Sequence, residues 1–227
     1  MATPKRSTKA APAPPATLVL LVRHGTTPST GQVLPGRAPG LHLADAGKEQ
    51  ASKLGERLAA WAPADGVRPR IAAVYASPLE RTQETAAPLA AALGLRVRVA
   101  RGLIECDFGE WTGEALKKLV KLPEWNAVQR YPSGFRFPGG ESFSGMQARM
   151  VATMADLRSR HQSQTIVAVS HADPIKAVVA DALGTHLDLF QRIVISPCSV
   201  TAISYGPVGP MVLAVNSTGS LSDLVPS

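Results

Sequence analysis

The chain has 227 residues, of which 45% are hydrophobic, and a formal net charge of +7 at pH 7. This hydrophobic content excludes a disordered chain, and the apolar runs are too short for a membrane span of about 20 residues. Three of the positive charges lie in the first 16 residues, so the remainder carries about +4 (7 − 3). With only 5% aromatic residues, this excess argues against a nucleic-acid partner and favours small anionic ligands.

Residues 1–16 are rich in Ala, Pro, Lys and Thr and lack the hydrophobic segment of a secretory signal. This composition predicts a disordered tail, followed by one α/β domain over residues 17–227. Without a signal or a membrane span, the cytoplasm is the expected location and no membrane partner is expected. The sequence does not fix the oligomeric state, and a homodimer is the default expectation for a soluble α/β protein.

The first predicted strand, residues 17–22, is a continuous apolar run that is too short for a helix. It ends in the sequence Arg23-His24-Gly25. In an open α/β sheet, ligands bind at the carboxyl ends of the strands, where this tripeptide would lie. The arginine fork suits phosphate oxygens, the histidine can act as a nucleophile, and the glycine lets a ligand approach the backbone. Apolar residues at helical spacing then predict a helix at residues 45–61.

Predicted strands and helices continue to alternate along the chain. Residues 71–76 form the second predicted strand, and Ser77-Pro78 after it is a good N-cap and first-turn pair for a helix that Pro88 kinks. Residues 95–100 alternate like a strand with one polar face. This alternation predicts βα units around a mainly parallel sheet.

The second half of the chain begins with an irregular segment. Residues 107–141 show little regular pattern, and we expect an inserted, lid-like excursion there. A long helix, a buried strand, a helix and two final strands follow, at residues 142–161, at 165–170, after Asp173-Pro174, at 194–203 and at 211–215. The α/β class therefore extends to the end of the chain.

Four segments resemble, in order, the motifs of the histidine phosphatase superfamily, which includes the cofactor-dependent phosphoglycerate mutases. They are Arg23-His24-Gly25, residues 77–86 with Arg81, residues 103–113 with Glu105, and Val169-Ser170-His171. A lone Arg-His-Gly would be weak support, whereas four ordered matches across residues 18–205 are specific. The resemblance implies a phosphoglycerate mutase-like, three-layer α/β/α sandwich that needs no metal or other cofactor.

The resemblance also implies roles for the charged residues. His24 would attack phosphorus and become a phosphohistidine, while Arg23, Arg81 and His171 would hold the phosphoryl oxygens. Phosphoryl transfer depends mainly on positioning and on cancellation of negative charge, which such a cationic cluster provides. Neighbouring positive charge also favours the neutral imidazole that nucleophilic attack requires.

A general acid is needed as well, because the leaving alkoxide must receive a proton. Glu105 occupies the acid position of the mutase-like branch. Asp173 lies two residues after His171, whereas the acid-phosphatase branch has its Asp directly after that histidine. Asp173 also precedes Pro174 at a predicted helix start, where we expect it to cap the helix. Glu105 is therefore the predicted general acid and base, and a share of that role for Asp173 stays open.

Further candidates for phosphate binding follow the first motif. The family often reads Arg-His-Gly-Glu/Gln-Thr-x-x-Asn, where this chain has Thr26 and Thr30 in the variable places. The hydroxyls of Thr27 and Thr30 are candidates for phosphate contacts. Gly36-Arg37 resembles the family's later glycine-containing phosphate loop, with Arg37 as a candidate ligand for a second anionic group. The alternative for Arg37 is a solvent-facing position on the loop.

The acid motif distinguishes between two activities. Phosphoglycerate mutases carry Glu-Arg-His-Tyr-Gly there, whereas this chain has Glu105-Cys-Asp-Phe-Gly109. The missing tyrosine and basic pair favour a metal-independent phosphomonoester hydrolase that acts on a small phosphorylated metabolite. Mutase-type phosphoryl transfer and a non-catalytic phosphate- or phosphoprotein-binding module are the alternatives. The basic and aromatic residues of 107–141 either cover the substrate or form an amphipathic helix and a surface loop.

The chain has two cysteines, Cys106 and Cys198, which are too few and too isolated for a disulfide framework or a zinc cluster. Buried free thiols are the expected state of both. Because Cys106 follows Glu105, a second expectation is that its thiol lies near the active site and reacts with thiol reagents.

Overall fold

The computed structural model describes residues 16–61 and 70–219, so the predicted disordered tail at 1–16 lies almost wholly outside the described residues. The described strands are β1 (Thr17–Arg23), β2 (Ile71–Ala76), β3 (Val97–Val99), β4 (Thr165–Ser170), β5 (Val200–Gly206) and β6 (Gly209–Ser217). The α-helices are α1 (Asp45–Trp61), α2 (Glu80–Ala92), α3 (Leu116–Leu119), α4 (Trp125–Arg130), α5 (Phe143–Arg160) and α6 (Ala172–Ala182). None of these described helices is both long and apolar enough to cross a membrane.

The six described strands form one sheet in the order β3-β2-β4-β1-β5-β6. Strands β1 to β4 are parallel to one another, whereas β5 runs antiparallel to both of its neighbours. Helices connect the parallel strands because a parallel pair needs a long crossover, while a tight turn is enough to join β5 to β6. The prediction of a mainly parallel sheet is confirmed.

Helices cover both faces of the sheet. Strands β1 and β4 are buried along almost their whole length, as expected for strands with helices on both sides. Helices α1 and α2 pack on one face through a cluster that includes Leu20, Val22, Leu54, Leu58, Leu89 and Val167. Helices α5 and α6 pack on the other face through a cluster that includes Val19, Leu21, Met150, Met154, Ile175 and Val178. This arrangement is the expected three-layer α/β/α sandwich.

The strand register places three strand ends side by side. Arg23 at the end of β1 pairs with Ser170 at the end of β4, and the His24 backbone N donates to the Ser170 carbonyl at 3.0 Å. On the other side of β4, the Ser77 backbone N donates to the Val169 carbonyl at 3.0 Å. The residues that follow β1, β2 and β4 therefore meet at the carboxyl edge of the sheet.

The predicted boundaries of α1, β2 and β4 are confirmed. Helix α5 begins after Ser142, whose Oγ accepts a hydrogen bond from the Gly145 backbone N at 3.0 Å. Strand β3 is shorter than predicted, and residues 194–199 precede β5 without belonging to it. Short, isolated apolar stretches predict strand type better than strand length, because pairing partners decide the length.

Two predicted helix caps are wrong. The N-cap of α2 is Leu79, and the hydroxyl of Ser77 lies 2.9 Å from His171 Nε2. The N-cap position of α6 is His171, since the chain turns into the helix directly after β4. Asp173 lies inside the first turn of α6 and pairs with Lys176 instead of capping the helix.

The segment 107–141 contains more regular structure than predicted. It holds 3-10 turns at Gly109–Trp111 and Pro132–Gly134 together with α3 and α4. These elements are too short to show a helical period in the sequence. They pack around a cluster of aromatic side chains, Phe108, Trp111, Trp125, Phe135, Phe137 and Phe143. Whether the segment acts as a lid stays a prediction.

Two glycines hold the loop after β1 against the start of α1. A Cβ on Gly25 would lie 2.6 Å from the Gly47 carbonyl oxygen, and a Cβ on Gly47 would lie 2.1 Å from the Thr26 carbonyl oxygen. We therefore expect Gly47→Ala to lower the free energy of unfolding by about 1–3 kcal/mol in urea titrations, because backbone atoms must move apart. Ser52→Ala, at an exposed position of the same helix, should change it by less than about 0.5 kcal/mol. Equal stabilities of the two variants would contradict the close backbone contact.

Candidate active site

His24 follows β1 and lines a cavity of about 410 Å³. Its Nδ1 donates to the Gly25 carbonyl oxygen at 2.8 Å, which fixes the proton on Nδ1 and leaves the Nε2 lone pair free. Burial, followed by the positive charge of Arg81, lowers the pKa of His24 to about 3. The imidazole is therefore neutral across the physiological range, as a nucleophile requires.

His171 follows β4 and is fully buried beside His24, with the two ring centroids 5.2 Å apart. Its Nε2 lies 2.9 Å from the Ser77 hydroxyl, and its Nδ1 has no hydrogen-bond partner and lies 3.8 Å from Glu105 Oε2. Burial holds the pKa of His171 well below its usual value. Sequence reasoning missed the role of Ser77, although its position directly after β2 was a usable signal.

Arg81 and Arg23 supply buried cationic donors. Arg81 is fully buried on α2, where Nη2 donates to the Gly36 carbonyl at 2.8 Å while Nε and Nη1 have no partner. Arg23 Nη1 donates to the Ile195 carbonyl at 2.7 Å, and its Nε is buried without a partner. Burial lowers the pKa of both guanidinium groups. Unpaired buried donors are costly, so this arrangement is suited to an oxyanion that would bind them.

Glu105 provides a carboxyl group in the same cavity. Its Oε1 accepts from the Cys106 backbone N at 2.9 Å. Burial and, second, the negative charge of Asp173 raise the pKa of Glu105 to about 7, although Arg81 acts in the opposite direction. Near neutral pH this carboxyl group can therefore both give and take a proton.

The cavity is lined by five of the nine predicted site residues, and the fully buried Arg81 and His171 are not among them. Its lining includes Arg23, His24, Glu105, Thr27 and Thr30. The Thr27 backbone N donates to the Thr30 hydroxyl at 2.9 Å, and the two hydroxyl oxygens lie 3.0 Å apart. The threonines thus hold the turn after the first motif in shape, and their contact with phosphate stays a prediction.

Gly36 and Arg37 do not line this cavity. Gly36 has a φ of +52°, which favours glycine, and contributes the carbonyl that Arg81 binds. The guanidinium nitrogens of Arg37 bind the Glu105 carbonyl, the Asp107 carboxylate and the Glu141 carboxylate. Arg37 is therefore neither a free loop arginine nor a donor to the cavity, and these contacts do not favour its predicted role in binding a second anionic group.

A carboxylate outside the predicted motifs connects Arg37 to a second arginine. Glu141 accepts from Arg37 Nη2 at 2.9 Å and from Arg149 Nε and Nη2 at 3.0 and 2.9 Å. The Asp107 backbone N also donates to Glu141, at 3.3 Å. We call Arg37, Glu141 and Arg149 the acid-segment clamp.

The clamp holds the backbone that carries Glu105. Arg37 Nε donates to the Glu105 carbonyl at 2.9 Å, and Arg149 Nη1 donates to the carbonyls of Gly102 and Ile104 at 2.6 and 2.9 Å. Charge-assisted bonds of this kind fix geometry strongly. Sequence reasoning missed the glutamate and the second arginine of the clamp, because both lie outside the four motifs.

The thiols are buried, as expected, and the proposed reactivity of Cys106 is wrong. Cys106 is fully buried, and burial followed by the charge of Glu105 raises the pKa of its thiol far above the usual value. Burial also raises the pKa of Cys198 to about 12. Since the thiolate is the reactive form, neither side chain suits reaction with thiol reagents.

Comparison with known proteins identifies the family of this chain. The sequence model of the histidine phosphatase superfamily (branch 1) matches residues 19–218. The chain belongs to this superfamily. It is 31% identical over 210 residues to phosphoserine phosphatase 1 of Hydrogenobacter thermophilus. The matched region covers 90% of this chain and 94% of that protein. The predicted family and the predicted enzyme class, a histidine-type phosphatase, are confirmed.

Solved structures share the fold of this chain. YhfR of Bacillus stearothermophilus is 25% identical, with a TM-score of 0.78 over 92% of this chain and 100% of that one. A mycobacterial glucosyl-3-phosphoglycerate phosphatase is 23% identical, with a TM-score of 0.77 over 89% of this chain and 100% of that one. The predicted phosphoglycerate mutase-like fold class is thus confirmed.

The raised pKa of Glu105 predicts a pH-dependent loss of stability. The folded state holds the Glu105 proton up to about pH 7, whereas the usual carboxyl pKa is 4.5, so ionisation over this range destabilises the native state. We expect Glu105→Gln to gain stability relative to wild type between these pH values, by on the order of 3 kcal/mol above pH 7. Urea unfolding at several pH values measures this difference.

The control for this prediction is Glu49→Gln, at an exposed carboxylate that pairs with Lys53. Lys53 lowers the pKa of Glu49, so the loss of the Glu49 charge should slightly decrease stability at neutral pH, whereas Glu105→Gln should increase it. A Glu105→Gln variant whose stability relative to wild type does not depend on pH would contradict the raised pKa.

The acid-segment clamp predicts a kinetic effect of Glu141. In Glu141→Gln the amide keeps the size of the side chain but cannot accept from both arginines through two anionic oxygens. We expect kcat for a phosphomonoester to fall about ten- to a hundredfold, with a smaller change in KM, because Glu105 is displaced. Glu114→Gln, which removes an exposed pair with Lys118, should leave both constants near wild type. A Glu141→Gln enzyme with wild-type kcat would exclude a positioning role for the clamp.

Proposed function

We propose that this enzyme hydrolyses phosphomonoesters of small metabolites through a phosphohistidine on His24. The observation that carries the proposal is the placement of a neutral His24, with its Nδ1 proton bound by Gly25, in one cavity with the protonatable Glu105. The unpartnered donors of Arg23 and Arg81 support an oxyanion site next to them. Perturbed titratable groups that converge in one cavity are typical of active sites.

In the first step, the Nε2 lone pair of His24 attacks phosphorus on the side opposite the leaving oxygen. A nitrogen–phosphorus bond forms while the phosphorus–oxygen ester bond breaks, and its electron pair remains on the leaving oxygen. Glu105 transfers its proton to that oxygen, so the product leaves as an alcohol. The guanidinium groups of Arg23 and Arg81 balance the charge on the other phosphoryl oxygens.

His171 is the proposed third donor to the phosphoryl group. The Ser77 hydroxyl accepts from the Leu79 backbone N at 3.4 Å, so its proton is available for His171 Nε2 at 2.9 Å. Because Nε2 then accepts a hydrogen bond, the single ring proton of neutral His171 is on Nδ1, which has no hydrogen-bond partner in the protein. A neutral His171 with its proton on Nδ1 can thus donate to a phosphoryl oxygen beside Glu105.

In the second step, water attacks the phosphohistidine. The carboxylate of Glu105 takes a proton from the water, the nitrogen–phosphorus bond breaks, and His24 regains its neutral Nε2 lone pair. Inorganic phosphate leaves, so protons and charges return to their starting state. A pKa near 7 suits a carboxyl group that acts as acid in one step and as base in the next.

The names of the relatives support small phosphorylated metabolites as substrates, since they refer to phosphoserine and glucosyl-3-phosphoglycerate. The phosphohistidine intermediate and turnover without a metal ion are both parts of the proposed mechanism. A cytoplasmic location, a homodimer and the lack of nucleic-acid or membrane partners stay predictions from composition.

The first test is the hydrolysis of 4-nitrophenyl phosphate in the presence of EDTA. We expect His24→Ala to reduce kcat by at least about a thousandfold, because no other group replaces the nucleophile. His186→Ala, at an exposed histidine, serves as the matched control and should retain activity. Acid-labile, alkali-stable phosphate on the wild-type protein after a rapid quench would identify the intermediate.

The outcomes of this test separate the alternatives. Equal activity of wild type and His24→Ala would exclude His24 as the nucleophile. Loss of activity in EDTA that added metal restores would exclude metal-independent turnover. A wild type that binds phosphate but turns over no ester would favour the non-catalytic binding module.

A further inference from the structure

The lining of the active-site cavity includes a group of apolar residues beside its polar ones. The apolar residues include Val33, Leu34, Phe108, Leu116, Ile193 and Val194, which we call the apolar wall. Besides Arg23, His24, Glu105 and the two threonines, the polar lining residues are Ser29, Asp173, Lys176 and Gln191. Phe108 belongs to the buried aromatic cluster, and Leu34 and Leu116 pack against that cluster. The apolar wall is therefore continuous with a packed core, which gives it a fixed shape.

The cations near the cavity that could bind a second anionic group of a substrate already bind other groups of the protein. Among the described residues that line the cavity, Lys176 is the sole cation besides Arg23, and its Nζ donates to Asp173 Oδ1 at 3.0 Å and to Gln191 Oε1 at 3.1 Å. Arg37 is bound in the acid-segment clamp. Within the described part of the lining, a carboxylate on the substrate would therefore meet the Asp173 carboxylate, but no cation other than Arg23 that lacks an ionic partner.

We propose that the group esterified to phosphate is an uncharged, apolar alcohol, and that this site disfavours phosphomonoesters with a carboxylate near the ester. The inference rests on the proposed phosphatase function and narrows its substrate class. Burial of each CH2 group on such a wall raises affinity by about fourfold. A carboxylate gains no comparable affinity from apolar contacts, and its burial removes the water that solvates it.

The substrate preference distinguishes this chain from the relatives named above. Phosphoserine and glucosyl-3-phosphoglycerate both carry a carboxylate close to the ester oxygen. A cation that is free to bind the carboxylate would favour either substrate, whereas Lys176 is neutralised by Asp173 here. The relatives' substrates are therefore expected to be poor ones for this enzyme.

The test compares benzyl phosphate with 3-phosphoglycerate. Both esters release an aliphatic alkoxide, so their difference reports the pocket more than the intrinsic reactivity of the ester. We expect kcat/KM for benzyl phosphate to exceed that for 3-phosphoglycerate by at least about thirtyfold, from the burial of several carbons. Phosphoserine should resemble 3-phosphoglycerate. Release of inorganic phosphate measures all three esters.

A charge-change variant tests the cause of the preference. Val194 lines the cavity and is 66% exposed, so its substitution leaves the core intact. Val194→Arg supplies the missing free cation and should raise kcat/KM for 3-phosphoglycerate about five- to tenfold without raising it for benzyl phosphate. Val194→Gln loses the same apolar contact without adding a charge, so it should not raise kcat/KM for 3-phosphoglycerate. Added salt should weaken the gain of the arginine variant.

Each result bears on one of the two proposals. A wild type that prefers 3-phosphoglycerate or phosphoserine over benzyl phosphate overturns the apolar substrate class. The same holds if 4-nitrophenyl phosphate is hydrolysed but benzyl phosphate is not, or if Val194→Arg leaves the ester ratio unchanged. Ester hydrolysis that persists in His24→Ala, or no hydrolysis of any ester, overturns the phosphatase mechanism instead.

Discussion

The parallel pairing of β1 with β4 is the constraint on which the active site depends. With Arg23 opposite Ser170, the next residue of each strand is a histidine, and the rings of His24 and His171 come to lie 5.2 Å apart. A shift of the pairing by one residue would send these side chains to opposite faces of the sheet. The neighbouring strand β2 then adds Ser77 against His171 and starts the chain toward Arg81. Helices on both faces bury these strands and thereby hold the register.

Burial shifts the pKa values of His24 and Glu105 in opposite directions. It disfavours the charged form of every group, so it lowers the pKa of His24 and raises the pKa of Glu105. The result is a neutral imidazole beside a carboxyl group whose pKa is about 7. Enzymes assign acid and base roles by environments that push the pKa values of adjacent groups apart. Arg81 adds to the shift of His24 but opposes that of Glu105, so burial must dominate for both roles to hold.

The sequence was sufficient for those features that depend on contiguous residues. His24 and His171 were predictable because each follows a strand that its apolar run reveals, and Arg81 and Glu105 were predictable because each lies in a motif of the superfamily. The acid-segment clamp was not predictable, since Arg37 and Glu141 are 104 residues apart and meet only in the folded chain. Arg37 illustrates the same limit, because its motif indicates a cation but not which anion it binds. The caps of α2 and α6 were mispredicted because hydrogen bonds and strand ends, not local preference, set those helix starts.

The net charge of the chain is a poor guide to its ligand, since most cations near the site already have partners. Arg37 and Arg149 bind Glu141, and Lys176 binds Asp173, so these pairs contribute structure and little free positive potential. Arg23 and Arg81 differ, because each keeps a buried guanidinium nitrogen without a protein partner. Unsatisfied donors next to a neutral imidazole are a narrower indicator of phosphoryl chemistry than total charge.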